Sequence, residues 1–252
     1  MARSMSLRLT RILTAAAGIC TIGWAALVIP VYRVEAELRN SAFHILAGDK
    51  FTPEQLGLLT HEVAAPFATS LDSLSLGDLA IIRVRLAETA LQSGNAQSSH
   101  AALDDVQTAV TEGLAGNPNA SFLWLTQYWL ERGRTGSPAS GQKFLRMSYQ
   151  LGPNEAWIAV RRNPVALSAY SWLSQDLAEA AITEFAGLVS SGAYEQAADI
   201  FAGSGEAVRD KLLARLAMVN REDRRQFARI LASKGLDDVE IPGFDRRPSQ
   251  PF

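Results

Sequence analysis

Cysteine is almost absent from this sequence of 252 residues, and histidine is scarce. The single cysteine, Cys20, can form no disulfide within the chain and no cysteine metal site. The three histidines stand at positions 44, 61 and 100, and no two of them have the i, i+4 spacing of a helical metal site. We therefore predict that the protein holds no metal and no cofactor.

Motifs of catalysis and nucleotide binding are also missing. The sequence contains no Gly-x-Ser-x-Gly, no Gly-x-Gly-x-x-Gly and no phosphate-binding loop. Its acidic pairs, such as Asp104-Asp105, are adjacent residues, which point about 100° apart on a helix and rarely form a catalytic couple. We predict no catalytic residue and no enzymatic activity. A hydrolase or transferase stays as an alternative for which the sequence nominates no residues.

The chain has no basic excess beyond its first residues. Residues 1–39 contain five of the 24 Lys and Arg and two of the 26 Asp and Glu, so the rest carries 19 basic against 24 acidic residues. A nucleic-acid-binding surface requires a basic face. This mildly acidic body therefore argues against nucleic acid as a partner.

Alternating β-branched residues, the pattern of a strand, are not found, whereas helical periodicity extends along almost the whole chain. Thr52-Pro53 and Asn220 have the composition of helix starts. The predicted fold class is all-α. The predicted helices beyond the apolar head cover residues 53–61, 78–92, 99–115, 120–132, 139–151, 154–161, 174–189, 193–202, 206–219 and 221–233.

The head of the chain contains one long apolar run. Residues 12–31 carry no charge, and a helix of that length measures about 30 Å, the hydrocarbon thickness of a bilayer. Arg3, Arg8 and Arg11 precede the run, so the positive-inside rule predicts a cytoplasmic N-terminus and a translocated body. The sequence thus predicts a single-pass signal anchor.

Two other interpretations of the head stay open. A cleaved signal peptide has a shorter apolar region and a small-x-small exit, and the best exit here is Val34-Glu35-Ala36. A lipoprotein has small residues before its cysteine, whereas Ile19 precedes Cys20. We expect Cys20 to act as a small apolar residue that faces lipid or a neighbouring helix.

The pattern predicts five regions. They are a basic N-terminus (1–11), the transmembrane signal anchor (12–32), a juxtamembrane helical segment (33–77), a helical repeat-like domain (78–235) and an extended tail that contains proline (236–252).

Two Pro-Asn turns 35 residues apart suggest a repeat. GNPNASFLW (116–124) shares its frame with LGPNEAWIA (151–159), and Gly141, Leu145 and Ser148 precede the second turn at a small-bulky-small spacing. Small residues let two helices approach closely, and a bulky one fills the groove between them. Ala197 and Phe201 repeat this spacing in part. The body therefore resembles a degenerate tetratricopeptide repeat, although its first-helix pattern is absent, and an irregular helical bundle is the alternative.

A second resemblance is more particular. The anchor, the stretch LRMSYQLGPNEAW (145–157) and a helix that carries Trp172, Asp176, Leu177 and Ala178 are similar to the VpsP-like exopolysaccharide biosynthesis family. This resemblance implies a bacterial protein that acts in surface polysaccharide assembly. It supplies no catalytic residues.

Aromatic and basic residues are concentrated between positions 124 and 172, where four of the five Trp lie. Aromatic faces stack on sugars, and Arg binds carboxylates. These residues could equally fill the space between helices, and Arg161-Arg162 could cap the carbonyls of a helix end. The predicted contact residues for a partner or glycan are Tyr128, Trp129, Arg146, Tyr149, Trp157, Arg161 and Arg162.

We therefore expect a bacterial inner-membrane protein with a periplasmic helical domain. Its expected function is that of a scaffold or adaptor for a polysaccharide assembly or export complex, whose membrane proteins are its partners. The alternative is a periplasmic module that binds an acidic glycan.

Overall fold

A computed structural model of the protein describes residues 2–64, 67 and 71–243. Within these residues the chain forms eleven α-helices and no β-strand, which confirms the all-α prediction. The helices belong to two compact units, unit 1 (Met1–Asn117) and unit 2 (Pro118–Phe252). Each unit is described by itself.

Unit 1 contains four α-helices. In chain order they are α1 (Ala2–Ala47), α2 (Pro53–Gly57), α3 (Ser73–Gln92) and α4 (Ala96–Gly116). A π-helical segment, Leu58–Ala64, follows α2 directly.

Unit 2 contains the other seven α-helices and two single 3₁₀ turns. The helices are α5 (Ser121–Thr135), α6 (Gln142–Leu151), α7 (Ala156–Leu167), α8 (Gln175–Ser190), α9 (Tyr194–Ala202), α10 (Arg209–Leu216) and α11 (Arg221–Ser233). The turns are Tyr170–Trp172 and Glu206–Val208.

Side-chain caps set several helix starts. Thr52 and Gln55 form a reciprocal capping box before α2, and the Asn220 side chain accepts from the backbone N–H of Asp223 at the start of α11. Both starts were predicted. The start of α3 lies five residues before the predicted position, because the carboxylate of Asp72 accepts a hydrogen bond from the Ser75 N–H at 2.7 Å.

Glycine and proline explain two further differences. The α6 helix begins at Gln142 and not at position 139, because Gly141 has a φ of 73°, which is outside the right-handed helical region. The α7 helix continues through Pro164 to Leu167, although the sequence predicted an end at 161. Pro164 removes one helical hydrogen bond, and the burial of Ala166 and Leu167 in the last turn offsets this loss.

The end of the chain also differs from the prediction. The predicted helix 206–219 is a 3₁₀ turn followed by the shorter α10. Residues 236–243 are non-helical, as predicted for the tail, but Ile241 is buried and Arg224 donates to the carbonyl oxygen of Pro242. This part of the tail is therefore packed on the fold. Residues 244–252 of the predicted tail lie outside the described residues.

The α1 helix has two different halves. Between Leu13 and Arg33, all of which the structure describes, no side chain is buried, and large apolar residues such as Ile22 and Leu27 are exposed. Among the described helices, α1 is the one long and apolar enough to cross a membrane. Its second half carries a buried stripe at helical spacing, formed by Val34, Leu38, Ala42 and Ile45.

The second half of α1 packs against α3 in unit 1. The backbone N–H of Asp72 donates to Oε1 of the buried Glu35 at 3.2 Å, and Arg39 Nε lies 4.0 Å from Oδ2 of Asp78. Burial raises the pKa of the Asp78 carboxyl to about 6, against the opposing charge of Arg39. The apolar stretch of α1 thus continues without interruption into the half of the helix that packs into unit 1.

Three phenylalanine rings form the centre of unit 2. Phe185, Phe201 and Phe227 come from α8, α9 and α11, and all three are fully buried. Their ring centroids lie 5.9 to 6.2 Å apart, and Phe227 meets the other two edge to face. This contact joins the last helices of the chain to α8.

Replacing Phe201 by alanine should lower the free energy of unfolding of unit 2 by about 3–5 kcal/mol, because it removes a buried ring from a three-ring contact. Denaturant unfolding of the full chain in detergent measures this change, with tryptophan fluorescence as the signal, since four of the five Trp lie in unit 2. Met218→Ala is the matched control, because Met218 is 82% exposed and its loss should change stability by less than about 0.5 kcal/mol. Equal effects of the two substitutions would contradict the assigned core.

The stability of unit 1 should depend on the titration of Asp78. A carboxyl with a pKa of about 6 in the folded state and about 3.9 in the unfolded state binds its proton more tightly when folded. The contribution of the Asp78 carboxyl to the free energy of unfolding is therefore complete below pH 4 and is lost as the pH rises through 6. We expect Asp78→Asn to remove this decrease, as measured by unfolding followed by circular dichroism at several pH values. The same decrease in both proteins would exclude Asp78 as its source.

Candidate docking cleft

A cleft of about 630 Å³ lies between α6, α7 and α8 in unit 2. Its wall has many small or apolar residues, which leave room for an incoming backbone or side chain. It also has three carboxylates and no Lys or Arg. The lining residues are Tyr149, Pro153, Asn154, Ala156, Ala159, Asp176, Glu179, Ala180, Thr183, Glu184, Gly187, Leu188 and Ser191.

One wall of the cleft is held in place by the close packing of α6 against α5. Leu145 and Ser148 are fully buried, and a Cβ added to Gly141 would lie 3.1 Å from Glu131 on α5. The three residues predicted to face a neighbouring helix therefore do so. At Gly152 the approach is closer still, since an added Cβ would lie 2.4 Å from the Ser121 hydroxyl.

The side chain of Arg162 lies beneath the cleft and has no exposed surface. Its Nη2 and Nε donate to Oε1 of Glu184 at 2.6 and 2.9 Å. Its Nη1 donates to the carbonyl oxygen of Ser148 at 2.6 Å, and Nη2 donates to that of Gly152 at 2.9 Å. Arg162 thus caps the C-terminal carbonyls of α6 and forms a buried ion pair with α8.

Glu184 connects this network to the cleft. Its Oε2 accepts the hydroxyl of Tyr149 at 3.0 Å and the side-chain amide of Asn163 at 3.4 Å. Burial raises the pKa of the Glu184 carboxyl, and Arg162 acts against that rise. Burial, and then the charge of Glu184, hold the pKa of Tyr149 well above its ordinary value. The Tyr149 ring also lies 4.1 Å below the guanidinium carbon of Arg162, a cation–π contact.

The other two carboxylates of the cleft are paired at its rim. Arg146 donates from Nε to one oxygen of Asp176 at 2.9 Å and from Nη2 to the other at 3.1 Å, a bidentate contact. The hydrogen bonds from Arg146 hold the pKa of Asp176 below its usual range. Arg215 from α10 forms an ion pair with Glu179 and a hydrogen bond with Thr183 at 2.6 Å. The rim is therefore built from interactions between helices.

Three of the seven predicted contact residues meet at this cleft. Tyr149 lines it, Arg146 holds its rim, and Arg162 lies beneath it. Because Arg162 is closed to solvent, it supports the cleft and is not a contact on its surface. This corrects the surface role expected for Arg162 and agrees with the alternative of a helix cap, although the capped helix is α6.

The other four predicted contact residues lie outside the cleft lining. Tyr128 is fully buried and donates to the carbonyl oxygen of Pro138 at 3.4 Å, so it fills the interior and is not a surface contact. Trp129 and Arg161 are half-buried. Trp157 is 39% exposed, and its ring lies 5.5 Å from that of Phe122.

Glu184 was not among the predicted site residues, although the sequence contains a signal for it. Leu177, Ala181 and Leu188 are buried on one face of α8, and Glu184 has the same helical phase. A carboxylate on an apolar face is buried and must therefore be paired. The pattern does not identify its partner, because Arg162 lies 22 residues away on another helix.

No group of three or more His, Cys, Asp or Glu side chains that could hold a metal ion occurs among the residues placed by the structure. The cleft instead offers paired carboxylates, a tyrosine ring and small apolar residues.

Comparison with known proteins gives no relative for this chain. No family model matches it, and neither a curated protein nor a solved structure matches it. The resemblance to tetratricopeptide repeats and to the VpsP-like family stays a prediction from the residues.

Replacing Arg162 by methionine should destabilise unit 2 by about 3–5 kcal/mol, because Glu184 then stays buried without its partner. In the double variant Arg162→Met/Glu184→Leu no uncompensated charge remains, so we expect a smaller loss than the sum of the single substitutions. Tryptophan fluorescence during denaturant unfolding measures all four proteins of the cycle.

The Arg146–Asp176 pair is the control for this cycle. Both of its side chains are more than one third exposed, so Arg146→Ala should cost only about 0–1 kcal/mol. Additive effects of the Arg162 and Glu184 substitutions would show that the two residues do not act as a pair.

Proposed function

We propose that the protein is a membrane-anchored scaffold or adaptor that docks a segment of a partner protein in the cleft between α6, α7 and α8. The observation that carries this proposal is the continuity of α1. One helix holds both an exposed apolar stretch of membrane length and the buried stripe that packs into unit 1. Unit 1 is therefore attached to the apolar stretch without a flexible linker.

Such an attachment favours association with other membrane proteins. An anchored domain searches a layer next to the bilayer and not the whole compartment, so its effective concentration toward membrane partners is high. The continuous helix also limits the orientations of unit 1 relative to the bilayer. A modest docking surface can then give a stable complex.

The cleft has the composition of a docking site. Ala156, Ala159, Ala180 and Gly187 provide a wall of small residues against which a partner backbone can lie closely. The side chains of Asp176 and Glu179 at the rim are 58% and 60% exposed but are already paired with Arg146 and Arg215. We therefore expect the docked segment to present small or apolar residues toward the wall.

The proposed context is the assembly or export of a bacterial surface polysaccharide. This part rests on the resemblance to the VpsP-like family. The two stretches that carry the resemblance are in contact, since Arg146 of the first binds Asp176 of the second. The basic residues Arg3, Arg8 and Arg11 support a cytoplasmic N-terminus and a periplasmic body in the inner membrane.

One observation favours the alternative of a glycan-binding module. Trp157 and Trp172 are exposed by 39% and 58%, and an exposed indole ring can stack on a sugar. The arginines support it less, because Arg146 and Arg162 bind carboxylates of the chain itself. Calorimetric titration of the full chain with acidic oligosaccharides tests it, and heat that is lost in Trp172→Ala would favour it over the adaptor.

Site-specific photo-crosslinking in intact cells tests the docking proposal. A crosslinking amino acid at Asn154, an exposed residue of the cleft, should capture a membrane protein of the polysaccharide machinery. The matched control is Arg229, an exposed residue of α11 outside the cleft lining, which should capture little or none. Filling the cleft with Ala180→Trp should reduce the crosslinking from Asn154 at least several-fold.

Two results would contradict the proposal. One is equal capture from Asn154 and Arg229, since a docking cleft must give a position-dependent product. The other is the recovery from Asn154 of no membrane protein. Circular dichroism of Ala180→Trp serves to show that the variant is folded.

A further inference from the structure

We infer that the first turn of α3 lies in the lipid headgroup layer, where Leu74 forms a second contact of unit 1 with the membrane. This inference rests on the proposed anchor. Leu74 is the second residue of α3 and is 61% exposed, so its side chain is available for contact with lipid. The N-terminus of α3 lies beside the end of the apolar stretch of α1, and this position accounts for the exposure of Leu74.

The start of α3 is fixed beside the point where α1 leaves the apolar stretch. The backbone N–H of Asp72, the N-cap of α3, donates to Glu35. Glu35 lies four residues after Val31, the last residue of the uncharged run, and four helical residues rise about 6 Å. The headgroup layer on each side of a bilayer is about 5–7 Å thick. The N-terminus of α3 is therefore at the depth of the headgroups.

The direction of α3 follows from a second contact. Arg39, four residues further along α1, lies against Asp78, six residues further along α3. Starting at the Glu35–Asp72 contact, both helices thus lead away from the membrane. Only the first turn of α3 can reach the lipid, and its last turn, which contains Leu91, lies about 26 Å further along the helix axis.

The side chain of Leu74 points toward the lipid. Every Cα–Cβ bond of an α-helix is tilted toward the helix N-terminus. Since the N-terminus of α3 is its membrane-facing end, the Leu74 side chain leans back toward the bilayer by a few ångströms. An exposed leucine in this layer buries apolar surface among the upper acyl carbons.

The charged groups around this turn are compatible with a lipid surface. Glu35 is buried, and the exposed carboxylate of Asp72 accepts a hydrogen bond from the Ser75 N–H, while Glu37 is exposed on α1. Arg33 is exposed on α1 two residues before Glu35 and can meet those phosphates directly. The contact of Leu74 with lipid would then fix the rotation of unit 1 about the anchor axis, which a single crossing helix leaves free.

A depth measurement with a fluorescent probe tests this inference. In the full chain with Cys20→Ala, single cysteines replace Leu74, Leu91 or Ile22 and carry an environment-sensitive label. The proteins are placed in vesicles of phosphatidylcholine and phosphatidylglycerol that contain a spin-labelled quenching lipid. Leu91 is the matched control, because it is a leucine of the same helix with 44% exposure, and Ile22 reports insertion of the anchor.

We expect strong quenching at position 22, at least twofold quenching at position 74 and almost none at position 91. Quenching at 22 with equal signals at 74 and 91 would overturn the contact of α3 with lipid and leave the anchor intact. An unquenched label at position 22 would overturn the anchor itself, and with it both proposals. Because Leu74 and Leu91 are exposed, both substitutions should leave the fold stable.

Discussion

The packing of the helices α6, α7 and α8 in unit 2 depends on the hydrogen bonds of one guanidinium group, that of Arg162. From α7 it reaches the carbonyls that end α6, the hydroxyls of Ser121 and Ser148, and the carboxylate of Glu184 on α8. A guanidinium stays charged inside a protein, and a buried charge is tolerated only when it is paired and its donors are satisfied. The relative positions of these helices are therefore constrained by one side chain. The same geometry requires glycine at position 152, where α6 approaches Ser121 most closely.

The cleft is a consequence of this constraint. Glu184 is fixed by Arg162, and it in turn fixes the hydroxyl of Tyr149 at the cleft wall. The rim pairs Arg146–Asp176 and Arg215–Glu179 connect α8 to its neighbours on both sides. A surface held in this way loses little conformational freedom when a partner binds, so more of the contact energy is available for affinity. These exposed rim pairs contribute more to the orientation of α8 against its neighbours than to the free energy of unfolding.

The sequence allowed the local features of the fold to be predicted, because they depend on neighbouring residues. Helical periodicity and the caps at Thr52 and Asn220 act within one turn, and these helix starts agree with the structure. The extension of α7 through Pro164 and the burial of Arg162 depend on residues of other helices, so no local pattern contains them. Of the candidate site, Arg146 and Tyr149 were found by composition. Glu184, which binds both Tyr149 and Arg162, was not.

The continuity of α1 also bears on the kind of partner that the protein can reach. A flexible linker of many residues would let unit 1 sample a wide volume, whereas a helix that packs into unit 1 holds that unit next to the apolar stretch of the same helix. Pro30 lies within this helix at the end of its apolar stretch, where it removes one backbone hydrogen bond without ending the helix. In the proposed anchor, this uninterrupted helix holds unit 1 next to the bilayer, where other membrane proteins are within reach.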